Sequence, residues 1–509
     1  MKQRTMVVWC VLAAGLCAPV GAQTAPAPLP APPTSPVSSA PATPADAPAW
    51  PKQWDDYFEV LERAQSEEGR KAGASNGYTH LIEILELIQR ADKQTWLDEQ
   101  GQLRPGEAAP DYGLLQEVIA GREKESDENR GSLERTRRHL ALLVAGGIDA
   151  KLDAIAKAPR MMRMRPGTEE FRKHLRATRI NDQQVSAVHE LMIDVQMPEL
   201  GYLRQLTRMN GARMHAAALE GDWSAVCKHA EQTTALGRLA SFGGTLISTM
   251  VSAAIDSAAA TSMLDAISDA RVTGKPKGGP DAEVLDCMVL AIGAQRAHHA
   301  GIKLALKTER MFASQLVGVA FTQAGPTAKG KLQLNKLGLQ LREEQMQSLT
   351  LASQQRELDA MYTDMIEIVA LPFAEMQPRL AELKPPSDAS PVVGIMVPPL
   401  ERMMGGQLQT AAKLVAARTV LALKAMQAGG RALPEKLGDV AEIAAAATDP
   451  YSGKPMLYRR SADGAEFELW VTGYDGQDDG AAKDSGIAQD GLRKLVPGTD
   501  VRLWPRESK

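Results

Sequence analysis

Histidines are the first place to look for metal binding or proton transfer, and the chain has eight: His80, His139, His174, His189, His215, His229, His298 and His299. None falls in an HExxH pair, the spacing that sets two imidazoles on one helical face for zinc. His298 and His299 are adjacent, so on a helix they point about 100° apart and are poorly placed to share one metal. His215 and His229 flank a Gly221-Asp222-Trp223 turn and can approach across a helix pair, where separately satisfied imidazoles are the better reading than a zinc site. No Walker A run and no dinucleotide fingerprint occurs. Glu309 and Arg310, close to Phe312, read as a buried ion pair between helices rather than as an acid catalyst. The run Met161-Met162-Arg163-Met164-Arg165 reads either as an exposed adhesive patch or as core or loop packing.

These side chains need elements to hold them, and residues 52–398 read as helix after helix. Tyr57, Phe58, Val60 and Leu61 mark one apolar face, Leu81, Ile82, Leu85 and Ile88 another, at the three- and four-residue spacings of a helix. The periodicity predicts helices over 53–67, 79–92, 112–122, 131–157, 168–177, 183–219, 223–240, 244–269, 281–322, 331–384 and 399–428. Pro198 with Gly201, Pro372 and Pro378 are places where the long ones can break. From Leu206 to Ala266 the order is helix, Gly-Asp-Trp turn, helix, Gly-Gly turn, helix, with Asp222 as a capping residue. This is how helix pairs of repeat proteins turn, but no 34-residue period runs through the chain. Segment 244–265 is apolar enough to raise a membrane question, yet Asp256 makes lipid exposure costly, so a buried helix is expected.

The expected fold is mainly α: an irregular α-solenoid or layered helical bundle with a small α+β C-terminal module of three short antiparallel strands. The chain has 509 residues, 44% of them hydrophobic, which is ample for a large core and excludes a wholly disordered polypeptide. Its net charge is −4, so no chain-wide basic field exists to attract a phosphate backbone, and nucleic acid is not an expected partner.

Residues 1–22 read as a secretory signal peptide. Lys2 and Arg4 form the basic start, Met6 to Ala18 the apolar stretch, and Val20-Gly21-Ala22 the small residues before cleavage. Residues 23–51 form a Pro/Ala-rich disordered linker, with ten prolines between 24 and 51. The expected location is therefore periplasmic or secreted, with no transmembrane segment in the mature chain. Of four cysteines, Cys227 and Cys287 lie beyond the signal. Outside the cytoplasm two thiols can pair as a disulfide, and two separate buried thiols on helices is the other reading.

Residues 399–509 form the expected C-terminal module. A helix carrying Leu414, Ala417, Leu421 and Met426 is followed by Gly429-Gly430, Pro434 and Thr448-Asp449-Pro450-Tyr451-Ser452-Gly453-Lys454-Pro455. Strands are predicted over Met456–Arg460, Glu466–Thr472 and Val501–Trp504, with an Asp463-Gly464 hairpin turn. This order of helix, Asp-Pro-Tyr-Ser-Gly-Lys-Pro, Leu-Tyr-Arg-Arg, Phe-Glu-Leu-Trp-Val-Thr-Gly-Tyr-Asp-Gly and final Trp504 resembles the globular domain of the type II secretion major pseudopilin. It also resembles the tail of uncharacterised exported α-helical bacterial proteins. Where a pseudopilin has a short basic leader and a long apolar first helix, this chain is expected to carry a cleavable signal and a proline spacer, so assembly into a pilus by that route is not expected. The resemblance implies a calcium site in the loop after the last long strand, which here would draw on Asp475, Asp478, Asp479 and Asp500. A solvated acidic turn is the alternative for these residues.

Together these features predict an exported, non-enzymatic helical protein of the cell envelope that presents surfaces to a protein or peptide partner. A periplasmic hydrolase acting on cell-wall or secreted substrates is the rival, and an accessory of a secretion system is the third reading.

Overall fold

Side-chain caps start the first helices of the computed structural model. Asn76 accepts a hydrogen bond from the Tyr78 amide at 3.2 Å, and Asp111 accepts one from Leu114 at 3.0 Å, each satisfying a donor that an α-helix leaves open. The structure describes residues 52–98, 102, 104, 107–165, 168–178, 197, 199–269, 280–293, 298–322, 350–383, 393, 400–444, 447–473, 476–478, 480 and 500–504. The segments expected to form the signal and the linker lie outside them.

Fifteen α-helices follow in order among the described residues. The first eight are α1 (Lys52–Arg63), α2 (Gly77–Thr95), α3 (Tyr112–Ile119), α4 (Asp127–Ala145), α5 (Ile148–Lys157), α6 (Glu169–Ala177), α7 (Glu199–Glu220) and α8 (Trp223–Ser241). The rest are α9 (Leu246–Ser268), α10 (Ala282–Gly293), α11 (His298–Thr322), α12 (Leu351–Ile368), α13 (Phe373–Glu382), α14 (Leu400–Ala428) and α15 (Ala441–Ala444). Three strands, β1 (Leu457–Arg460), β2 (Phe467–Val471) and β3 (Val501–Trp504), form one antiparallel sheet in that order. The chain is thus mainly α with a small C-terminal sheet.

Two expected helices break where the backbone requires it. The helix expected over 131–157 ends at Ala145 and restarts at Ile148, because Gly147 takes a left-handed conformation (φ +82°) that other residues resist. Between α12 and α13 the break is at Pro372, which precedes the first residue of α13, whereas Pro378 is carried inside α13.

The trio α7, α8 and α9 is the centre of the molecule, and each of the three packs on the other two. Gly221 (φ +80°) makes the first turn, and Asp222 caps α8 by accepting from the Ala225 amide at 3.0 Å. Around this trio α8 also meets α5 and α10, α7 meets α3, and α9 meets α11 and α14. One apolar cluster runs from Tyr78 to Ile255 and a larger one from Met214 to Trp504, so both draw on α8 and α9. Helix α9 is long and apolar enough to cross a membrane, but it is mostly buried between its neighbours, Asp256 included. Gly237 of α8 lets the two helices come close. A Cβ on Gly237 would fall 2.3 Å from an Asp256 carboxylate oxygen.

The Gly243-Gly244 turn between α8 and α9 is a junction of four elements. The Tyr57 hydroxyl of α1 donates to the Gly243 carbonyl at 2.8 Å, and Thr308 of α11 donates to the Gly244 carbonyl. Gly244 has φ +65°, and a Cβ there would sit 2.8 Å from a Leu61 methyl and 2.9 Å from the Tyr57 oxygen. Replacing Gly244 with Ala combines left-handed strain with a clash, so an expected loss of about 2 kcal/mol or more should lower the urea midpoint.

At the C-terminal end α14 packs on α9, α10, β2 and β3. The β1–β2 hairpin turns at Asp463-Gly464, where Asp463 accepts from the Ala465 amide at 3.0 Å. Asp449 of the Asp-Pro-Tyr-Ser run is fully buried and ties that run to β2. It accepts from the Tyr451 amide (2.8 Å), the Ser452 hydroxyl (2.8 Å), the Thr472 amide (3.1 Å) and the Thr472 hydroxyl (2.7 Å). These four donors satisfy the buried carboxylate.

Candidate functional site

Between α5 and α6 the chain runs without helix through Arg160–Arg165, and this run lines a cavity. Its first residues are held from both sides. The Gly77 amide donates to the Arg160 carbonyl at 2.9 Å, and the Arg160 amide donates to Ser75 at 3.3 Å. Asn76 donates to the Met162 carbonyl at 2.8 Å and accepts from the Met162 amide at 3.0 Å, while Gln65 accepts from the Met161 amide at 2.9 Å. Fixing these atoms fixes where the following side chains go.

The cavity beside this run measures about 570 Å³. Phe58, Met162 and Met164 supply its apolar wall, and Asn76, Thr79 and Thr168 its neutral polar atoms. Its charges are largely matched in pairs: Arg160 binds Glu62 at 2.5 and 2.9 Å, and Arg165 lies 3.4 Å from Asp55 and stacks over the Phe58 ring at 5.4 Å. Met161, Met162 and Met164 are all buried, so the methionine run is packing rather than an exposed patch.

Behind the cavity lies a buried charge network that sequence reasoning missed. Arg163 reaches inward to Glu199 of α7 at 3.2 Å, and His174 of α6 stands 3.4 Å from the other Glu199 oxygen. Glu199 is 1% exposed and Arg163 7%. Burial alone would raise the Glu199 carboxyl, but Arg163 foremost and then His174 outweigh it and hold it at about 2. Burial also pushes the Tyr57 hydroxyl up to about 12, with Arg163 opposing. Tyr78 stands in the same field, its buried hydroxyl driven well above the usual range. The Arg163–Glu199 pair, with its carboxyl held low and its guanidinium held high, orients and braces.

Glu309 is the opposite case. Burial pushes its carboxyl up to about 7, against the Leu246 amide that donates to it at 3.0 Å at the start of α9. The expected Glu309–Arg310 ion pair is not formed. Neighbours on a helix diverge, and Arg310 turns out to Asp359 of α12 at 2.8 Å.

The histidines with described side chains go to separate partners; the side chains of His189, His298 and His299 lie outside the described ones. His139 lies between Asp92 (3.0 Å) and the Tyr112 hydroxyl (2.7 Å) in a closed buried cluster, and the Trp96 indole also donates to Asp92 at 2.7 Å. His215 meets Asp269 at 2.8 Å, whereas His229 meets Gln232 at 3.1 Å. Among the described residues no group of three or more His, Cys, Asp or Glu is placed to hold a metal. In the acidic loop Asp475 and Asp479 lie outside the described residues. Asp478 accepts from the Gly480 amide at 2.9 Å and the Trp470 indole at 3.3 Å, and Asp500 is buried at the start of β3. Cys227 and Cys287 are both free thiols.

A nucleophile motif is present that inspection of the sequence overlooked: Gly73-Ala74-Ser75-Asn76-Gly77 spells G-x-S-x-G. Ser75 is exposed just before α2, its hydroxyl is 3.1 Å from His80 Nε2, and His80 Nδ1 is 3.7 Å from Glu83. The order serine, imidazole, carboxylate is that of an acyl-transfer triad. The setting differs from a nucleophile elbow, since a single bridge from Asn76 to Arg160 stands where that motif has a sheet, and Glu83 is also bound to Lys151 at 2.9 Å.

Comparison of the chain with protein-family models, curated proteins and solved structures gives no match, so the functional reading rests on this geometry.

Proposed function

We propose that the chain is an exported helical scaffold of the cell envelope whose cavity at Arg160–Arg165 takes an extended peptide or protein segment through an apolar side chain. The observation that carries this reading is the cavity's wall of Phe58, Met162 and Met164 above the fixed Arg163–Glu199 pair. Methionine thioethers adapt to different apolar shapes, which suits recognition of a side-chain class. The ion pairs at the rim leave little net charge to select for a charged ligand, so the partner's anchor is apolar.

The test is panning of a defined peptide library on the intact protein, with affinities measured by calorimetry. Retained peptides should share an apolar anchor, and Met164→Glu and Phe58→Asp should each weaken them about tenfold or more. Peptides held equally well by both variants would remove the cavity from the reading.

A hydrolase is the second reading, favoured by the Ser75–His80–Glu83 arrangement alone. Turnover of an activated ester or a wall fragment that disappears in Ser75→Ala, together with covalent labelling of Ser75 by a fluorophosphonate, would replace the scaffold with an enzyme. Equal turnover by parent and Ser75→Ala would dismiss the triad.

A further inference from the structure

Cys227 on α8 and Cys287 on α10 are far apart in the chain but sit on helices that pack together. The Cys227 thiol contacts the Val284 carbonyl at 3.6 Å, one turn before Cys287 on the same helix, which fixes the side of α10 that Cys227 faces. Both join the larger apolar cluster, Cys227 buried and Cys287 partly open to solvent. Burial first, and then Cys287, raise the Cys227 thiol, so Cys227 stays protonated while the more accessible Cys287 meets reagents.

We infer that Cys227 and Cys287 are oxidised to a disulfide that ties α8 to α10 when the protein meets a small-molecule or protein disulfide. The Cys287 thiolate attacks one sulfur of the oxidant, forms a mixed disulfide and releases the oxidant's first thiolate. Cys227 then gives up its proton and attacks the Cys287 sulfur. The new bond joins the two cysteines and expels the oxidant's second thiolate. Two cysteine thiols lose two electrons, the oxidant disulfide gains them, and the two cysteine protons end on its two thiols. The link would join two helices that already pack together. It stands on the α8–α10 contact and is independent of the cavity and its ligand.

The experiment uses the intact chain with Cys10→Ser and Cys17→Ser, so that Cys227 and Cys287 are its only thiols, purified reduced and equilibrated with oxidised glutathione. Thiols are then counted by alkylation in denaturant, alongside intact mass and peptide mapping. Both thiols should disappear together, the mass should fall by about 2 Da, and a Cys227–Cys287 linked peptide should appear. The oxidised form should melt roughly 5 °C above the reduced form. Cys227→Ser should instead trap glutathione on Cys287. Two alkylatable thiols after equilibration, or glutathione on both cysteines without a cross-link, would overturn the inference.

Discussion

Glu199→Gln should destabilise the folded chain by about 3–5 kcal/mol at pH 7, the largest single-residue effect expected here. Arg163 and Glu199 are both buried, so the variant leaves the guanidinium in the interior without its counter-charge. The pH dependence identifies the cause. Glu199 is held at about 2 in the fold against an ordinary 4.5, so its contribution is fully present above pH 4.5 and is lost as pH falls towards 2. That shift corresponds to about 3 kcal/mol. Urea unfolding of parent and variant from pH 2.5 to 7 should give curves that converge in acid. A constant gap across the range would mean that shape, rather than charge, makes Glu199 matter.

Glu309→Gln should behave in the opposite sense. Burial raises the folded carboxyl to about 7, so the fold favours the protonated acid. The contribution is complete below pH 4.5 and is lost as pH rises through 7, where the parent must either ionise a buried group or hold its proton against the solvent. The size is again about 3 kcal/mol. Gln keeps an acceptor for the Leu246 amide and cannot ionise, so the variant should match the parent near pH 4 and exceed it near pH 8. Parallel pH profiles for the two proteins would show that Glu309 is not the titrating group. Glu309→Gln and Gly244→Ala probe one region, because Glu309, Thr308 and Tyr57 all converge on the turn between α8 and α9.

Much of the scaffold was legible from residue spacing. The Asp222 cap, the helix–turn–helix order from Leu206 to Ala266 and the strand over Phe467–Val471 all depend on neighbours within a few positions. The split at Gly147 was missed because the apolar period continues across it, and only the backbone conformation breaks. The cavity was hidden for a different reason. Phe58, Asn76 and Met162 come from three separate segments, and Met161–Arg165 has no periodicity that tells a buried run from a sticky surface one.

The linear order of residues was enough to establish a mainly helical chain with a short C-terminal sheet, because helical and strand periods are local properties of the backbone. Folding alone decided which charges share a site. Arg163 and Glu199 became a held pair, and Glu309 became a lone acid apart from Arg310, because desolvation and Coulomb energies depend on burial and distance across the chain.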